Sequence, residues 1–302
     1  MRIAIIDIDS TGFPNLALKK IEKYHVDRGD EIMWNPMPLW ATIADKVYVS
    51  CVFDKNKAQA AKWEGLAEIG GSGYDLAKKL PEEIEKVRPR KNFGFTTRGC
   101  IRNCRFCIVP KKEGKFRIVG DLYDLWDWKA KDVTILDNNI LADPKHFIYI
   151  CKQSLYPKIR LDFNQGLDHR LLTPEICHWL TRIRHKEHRF AWDNIRDMRT
   201  IQSALRLLKA SGLKTNFWYI LVGFDSTFGE DYRRVMFLRE QGQTVFIQRY
   251  EKTPGNMLLA RWANQHNIYR KMSFPDFLQL PRNKRYREKY AEAIEGYFDG
   301  FP

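Results

Sequence analysis

Alternation is the feature that most constrains this chain. Short apolar runs of strand length recur along it, separated by stretches with helix periodicity. "RIAIIDI" (2–8) and "KVYVSCVF" (46–53) read as strands. Between them, "NLALKKIEKYHVDRG" (15–29) carries apolar residues at helix spacing and closes on a glycine. "AQAAKWEGL" (58–66) reads as a helix, and "AEIGGSG" (67–73) as a short strand running into a glycine turn. The pattern implies a parallel, wound α/β layer. The polar, proline-bounded "PEEIEKVRPRKN" (81–92) reads as a linker. A second series then begins at "FGFTTRG" (93–99). Its later strand candidates are 132–137, 158–163, 189–193, 216–223 and 244–250, with helix patterns near 143–154, 174–184, 197–211 and 229–241. These βα steps are too few for the eight of a closed (β/α)8 barrel, so an open or partial (β/α)6 barrel is expected. "RYREKYAEAIEGYF" (285–298) carries the aromatic and aliphatic stripe of a packing helix. No solenoid repeat or low-complexity tract interrupts either series.

A chain of 302 residues with 44% hydrophobic and 13% aromatic residues can bury a core in each part. Its longest apolar runs, such as "FWYILVGF" (217–224), are too short to span a bilayer. The first residues lack the h-region and cleavage site of a signal peptide, so a cytoplasmic protein is expected. The formal net charge is +14, concentrated in 110–117, 182–189 and 281–290. Such clusters can hold a polyanion by displacing its counterions, or simply solvate the surface.

"GCIRNCRFC" (99–107) holds Cys100, Cys104 and Cys107 in a CxxxCxxC spacing directly after the first strand of the second series. Parallel α/β folds place their chemistry on such loops, beyond the strand C-termini. A structural zinc normally takes four protein ligands, often as two CxxC pairs, and the nearest downstream histidine is His146. Chance clustering of core thiols is opposed by the arginines and asparagine between the cysteines. An iron–sulfur cluster fits the ligand count and the spacing best, and three protein thiolates would leave one iron open. Cys51, Cys151 and Cys177 are scattered and suggest no disulfide framework.

The CxxxCxxC motif, with Phe106 just before its last cysteine, resembles the radical S-adenosylmethionine (SAM) superfamily, and the resemblance covers residues 93 to about 260. It implies an enzyme with a 4Fe–4S cluster on Cys100, Cys104 and Cys107. SAM would chelate the open iron, and its reductive cleavage would give a 5′-deoxyadenosyl radical that abstracts a substrate hydrogen. The cofactor then carries the hard chemistry while the protein orients it and excludes water. It also implies a flavodoxin- or ferredoxin-like reductant as partner. SAM contacts are expected from Phe106 and from residues just past the later strands. Asp137, Asn138 and Asn139 stand where the family grips the SAM amino group, although the family's Gly-Gly-Glu form is absent. Asn164 and Gln165 follow the third strand. Asp193, after the fourth, would meet the ribose or the SAM carboxylate region, and the backbone near Gly223 would approach adenine. Asp137 could instead cap a helix, Asn164 and Gln165 could satisfy buried backbone groups, and Asp193 could pair with Arg196.

A Rossmann-like domain ahead of such a barrel resembles the cobalamin-binding subclass, and also the methylthiotransferases. The expected fold is therefore an N-terminal Rossmann-like domain (1–90) followed by a partial (β/α)6 TIM barrel of radical SAM type with a C-terminal helical extension (91–302). The cobalamin subclass supplies an axial histidine after its first strand. Residues 8–15 contain none, and His25 falls inside the predicted first helix, so no cobalamin is expected. Trp34, Trp40 and Trp63 are expected to fill the space that cofactor would take. The methylthiotransferase type would need three cluster cysteines in this domain, which has only Cys51. The glycine turn at 70–73 could hold a phosphate. The substrate expected first is a nucleic acid or nucleotide, with bases stacking on Trp126, Trp128 or Trp192. The alternatives are a cobalamin-dependent radical methylase, a peptide-modifying radical SAM enzyme, and a non-catalytic iron–sulfur or zinc nucleic-acid-binding protein. Residues acting directly on the substrate, and the oligomeric state, stay unassigned.

Overall fold

The computed structural model of the chain describes residues 1–289. The chain divides into two compact units, Met1–Val133 and Thr134–Pro302. It is a mixed α/β protein built on parallel sheets.

The first unit opens with β1 (Arg2–Asp7), α1 (Leu16–Val26), β2 (Glu31–Trp34), β3 (Lys46–Ser50) and β4 (Glu68–Gly70). They form one parallel sheet in the order β2-β1-β3-β4. Successive residues of β1 point to opposite faces, and both faces are covered. Ile3 and Ile5 pack with Leu18, Ile21, Tyr48 and Ile84, while Ala4 and Ile6 pack with Val47, Val49 and Ile69. Burial on both sides explains why β1 reads as a continuous apolar run rather than an alternating one. Each fully buried isoleucine here contributes about 1.5–3 kcal/mol of apolar burial. Asn15 caps α1 by accepting from the Leu18 amide, and Lys23 and His25 lie in its last turn, where cations are favoured. His25 is a packing group: its ring nitrogens meet Asp30 Oδ2 at 2.6 Å and the Tyr48 hydroxyl at 3.1 Å. After β4 the chain must turn at Gly71, whose φ is +102° and where a Cβ would lie 2.3 Å from the Cys51 carbonyl oxygen.

Three expectations change in this unit. The helix expected over 58–66 is only Lys57–Ala61, because Gly65 adopts a left-handed φ of +78°. Segment 81–92 lies inside the unit, where Ile84 is buried in the α1 core and Glu85 takes the Lys20 ammonium. The expected strand 93–99 is two pieces, Phe93–Gly94 and Thr97–Arg98, because Thr97–Arg98 turns away to pair antiparallel with Arg117–Ile118.

The second series continues with β5 (Asp132–Ile135), α2 (Pro144–Leu155), β6 (Arg160–Phe163), α3 (Pro174–Arg182), β7 (Arg189–Trp192), α4 (Met198–Ala210), β8 (Phe217–Val222), α5 (Phe228–Glu240), β9 (Thr244–Arg249) and α6 (Pro254–Ala263). Every strand and helix expected between 132 and 250 is present. β5 and β6 lie side by side, with Arg184–His185 beyond β6. β7, β8 and β9 form a parallel set. A bridge between Leu167 and Phe190 joins the two sets, with the Leu167 amide donating to the Arg189 carbonyl at 2.7 Å. Trp218, Trp262, Phe147 and Phe190 are fully buried in this core. Trp192 is buried as well, with 0% exposure, so it cannot stack on a base as expected. Asp143, Thr173, Thr227 and Thr253 cap α2, α3, α5 and α6. Among the described residues no helix is long and apolar enough to cross a membrane. Lys284–Lys289 is helical, and the rest of the packing helix expected to 298 lies outside the described residues.

Candidate functional site

The cysteine loop belongs to the first unit. The Thr97–Arg98 and Arg117–Ile118 pair closes its base. The Val119 and Gly120 amides extend that closure by donating to the Thr96 carbonyl. Gly99 starts the loop at φ +74°, and a Cβ there would sit 2.3 Å from the Lys115 carbonyl oxygen. Two strands of backbone cross at this point, which only glycine allows. The Gly99 amide donates to Glu113 Oε2 at 3.1 Å, and Arg98 faces the same carboxylate at 3.3 Å. Within the loop the Cys107 amide donates to the Cys104 carbonyl at 3.0 Å. The Arg102 amide lies 3.3 Å from Cys100 Sγ, and the Val109 amide 3.5 Å from Cys107 Sγ.

All three loop thiols are partly exposed, and Phe106 beside them is half-buried and outside the core. The other cysteines are different in kind. Cys51, Cys151 and Cys177 are buried, and burial pushes each thiol pKa up. A thiolate is the form that binds metal, so the buried three are poor ligands. The loop fits an iron–sulfur cluster by its donor set, three accessible sulfurs within eight residues with backbone amides aimed at two of them. Among the described residues no three His, Cys, Asp or Glu side chains converge as a ready-made metal group.

The strand-end residues belong to the second series. Asp137 and Asn139 are buried just past β5, with Asn138 half-buried between them. Asp137 is not the α2 cap; Asp143 fills that role, accepting from the His146 amide. Asn139 Nδ2 donates to Asp168 Oδ2 at 3.2 Å, which ties the β5 end to the loop after β6. Asp168 also takes Arg170 Nε at 2.8 Å. Asn164 accepts from the Tyr219 hydroxyl through its backbone oxygen, which ties β6 to β8. Gln165 is exposed. His169 Nδ1 donates to the Ala191 carbonyl at 2.9 Å and its Nε2 meets Thr200 Oγ1 at 3.2 Å, and burial pushes its pKa down.

The ends of β7 and β8 are held by a side chain that sequence reading missed. Arg234 on α5 is fully buried. It donates to the Trp192 carbonyl, the Leu221 carbonyl and Asp231 Oδ1, each at 2.6 Å. The other oxygen of Asp231 accepts the Gly223 amide at 2.8 Å. In the sequence, "GEDYRRVMFLRE" (229–240) looks like a solvated helix face. The only signal was an acid and an arginine at i, i+3, a spacing common on exposed helices. Gly223 has φ +74°, and a Cβ there would strike Asn256 Nδ2 at 2.3 Å.

Asp193, half-buried, sits between these fixed points. Arg234 holds the carbonyl before it, and Trp192 Nε1 donates to the Asn194 carbonyl after it at 2.7 Å. Its carboxylate forms no ion pair and accepts no hydrogen bond among the described residues; the expected pairing with Arg196 is not made. Burial pushes its pKa up to about 6, partly opposed by the charges of Arg234 and Arg170. A desolvated carboxylate without a partner can accept a donor or a cation.

No family model matches the chain. It is similar to several curated tRNA-2-methylthio-N(6)-dimethylallyladenosine synthases. That of Aquifex aeolicus is 24% identical over 123 residues, covering 36% of this chain and 28% of the relative. That of Flavobacterium johnsoniae is 26% identical over 124 residues, covering 30% and 26%. That of Chloroherpeton thalassium is 31% identical over 86 residues, covering 25% and 19%. The chain thus spans only 19–28% of the length of these relatives. They are enzymes, and their similarity supports the radical SAM class for this chain. That support does not extend to the cobalamin-binding subclass.

Proposed function

We propose that the chain is a radical SAM enzyme acting on RNA, with Cys100, Cys104 and Cys107 as cluster ligands and the ends of β5 to β9 as the SAM site. The cysteine loop carries this reading: its three thiols are accessible, with backbone amides aimed at two of them, whereas the remaining cysteines are buried. When bound, a 4Fe–4S cluster and SAM supply a 5′-deoxyadenosyl radical on one-electron reduction. The chain's own residues hold and shield. The loop would hold the cluster on its three thiols, and Gly99 and Glu113 fix its base. Phe106 borders the cluster or the adenine. Asp137, Asn138 and Asn139 meet the SAM amino group, with Asn139 already oriented by Asp168. Asn164 and Gln165 flank the nucleoside. Asp193 takes the ribose hydroxyls, which can donate to its free carboxylate, and the Gly223 backbone approaches adenine. In this reading residues 1–90 are the Rossmann-like layer and 91–302 the barrel-type domain, served by a flavodoxin- or ferredoxin-like reductant in the cytoplasm.

RNA is favoured over a peptide because the named relatives act on tRNA and the chain carries a +14 charge. Methylthio transfer through a second cluster is not proposed. The first 99 residues hold one cysteine, and that residue, Cys51, is buried. The test is anaerobic reconstitution with iron and sulfide, then dithionite and SAM. Formation of 5′-deoxyadenosine by the native chain, and its loss in Cys104→Ala, supports the reading. Equal SAM cleavage by Cys104→Ala would refute it.

A further inference from the structure

The sheet of the first unit reverses its winding between β1 and β3, since β2 lies on one side of β1 and β3 on the other. Open α/β sheets take ligands at such a reversal, beyond the strand carboxyl ends. A cavity of about 700 Å³ opens there within the first unit. It runs from the Asn15 turn of α1 and Ser50 of β3 to Arg98 and Lys112, on either side of the cysteine loop. None of Trp34, Trp40 and Trp63 lines it.

The charge of its wall is unbalanced. Its acids are already engaged: Glu68 with Lys46 at 2.8 Å, Glu82 with Lys86 at 2.5 Å, Glu85 with Lys20 at 3.0 Å and Glu113 with Arg98 at 3.3 Å. Lys78, Lys79 and Lys112 also line it, and they form no ion pair among the described residues. Lys112 is half-buried, and desolvation pushes its pKa down. Arg98 Nε is buried and makes no hydrogen bond, although Glu113 lies 3.3 Å away. Phe95 lines the same space, and the Arg98 guanidinium lies over its ring, 4.1 Å from the centre.

We propose that this cavity binds a nucleotide by its phosphates, with Lys78, Lys79 and Lys112 as the phosphate ligands. Three unpaired cations suit phosphate better than a single carboxylate. The volume exceeds a bare phosphate and lies in the range of small-molecule pockets. The site goes beyond the function proposed above and needs no iron. The nucleotide could be free or part of an RNA strand.

The test is calorimetric titration of the full chain with ATP, adenosine, inorganic phosphate and a short RNA oligonucleotide at physiological salt. Saturable one-to-one ATP binding is expected, with adenosine at least about tenfold weaker. Lys112→Ala and the double variant Lys78→Ala/Lys79→Ala should each weaken ATP about tenfold or more, whereas Lys62→Ala, remote from the wall, should not. Lys78 and Lys79 are exposed, so that variant tests the site without loading the fold. RNA that competes with ATP identifies a strand-borne nucleotide; ATP binding untouched by RNA identifies a free one. Cys104→Ala should bind ATP as the native chain does, which separates this site from the cluster reading. Three results would each overturn the proposal: no saturable binding of ATP or ATP-competed RNA, binding indifferent to the three lysines, or retained hydroxocobalamin that blocks ATP.

Discussion

Asp193→Asn should make the protein more stable at neutral pH and less able to bind SAM. Burial raises the Asp193 carboxyl from 3.8 to about 6. The folded state therefore holds a proton over pH 4–6 that the unfolded chain has released. With more protons bound in the native state, stability falls as pH rises through this window. Once pH passes the folded pKa the full cost is present. At roughly 1.4 kcal/mol per tenfold change in proton affinity, the rise puts that cost on the order of 3 kcal/mol. The amide of the variant carries no charge, so Asp193→Asn should match the native chain below pH 4 and exceed it above pH 6.5. Urea titrations at pH 4, 5, 6 and 7 measure the difference, and other titrating groups cancel between the two proteins. Ligand binding should show the reverse sign. Donor hydroxyls or a cation on the carboxylate favour its ionised form, so SAM affinity should rise between pH 5 and 7 in the native chain only. An Asp193→Asn protein that is no more stable at pH 7 would refute the claim of an unpartnered, desolvated carboxylate.

Other outcomes follow from the same geometry. Arg234→Leu leaves Asp231 and two carbonyls without their donor inside the core. It should cost on the order of 3–5 kcal/mol, while the double variant Asp231→Leu/Arg234→Leu recovers part of that loss; chemical denaturation checks both. Cys100→Ala, Cys104→Ala and Cys107→Ala should each lose iron after anaerobic reconstitution, whereas Cys151→Ala and Cys177→Ala should load it normally, read by iron content and absorption. Gly99→Ala should impair loading without touching a thiol, because its Cβ meets the crossing backbone at Lys115. RNA binding should weaken steeply with salt, and neutralising Lys284, Arg285 and Arg287 should flatten the slope by roughly one unit per lost contact.

The strand and helix series from 132 to 250 was legible because its strands are short runs rich in apolar residues and α2, α3 and α5 open on a capping Asp or Thr. The three-cysteine loop was legible from spacing. The break in 93–99 was not, since it depends on pairing with Arg117–Ile118, a contact that leaves no periodicity in either segment. Trp192 was misread for a related reason: an aromatic next to "DN" looks like a surface platform, yet its ring packs against Phe237 in the core. The basic stretch 182–189 also misled, because Arg189 is taken up by a buried pair with Asp162 and His188 is buried in a stack with His185. Its charge is partly structural. The cavity of the first unit was hidden because bulky residues in a sequence do not say whether they face inward: Trp40 is exposed, and Trp34 donates its indole N–H to Glu22.

Asp162, Asp168, Asp231 and Asp193 all lie buried or half-buried around the second sheet system, yet they divide sharply by partner. Asp162 pairs with Arg189, Asp168 with Arg170, and Asp231 with Arg234. Each of these carboxylates is paired with an arginine. Asp193 is the exception. Arg234 fixes the peptide before it, Trp192 fixes the one after it, and Asn194 caps the turn that follows by accepting the Arg196 amide at 2.9 Å. A carboxylate with no structural use would be free to swing into water or to pair with the nearby arginines. Here the backbone on both sides is pinned while the side chain is left unsatisfied, at a cost in stability that the pH titration measures. Fixing a costly group in place is how a fold prepares a site before its ligand arrives. If the proposed SAM site is right, the Asp–Arg pairs are the scaffold for it, and loss of Arg234 should reach SAM affinity as well as stability.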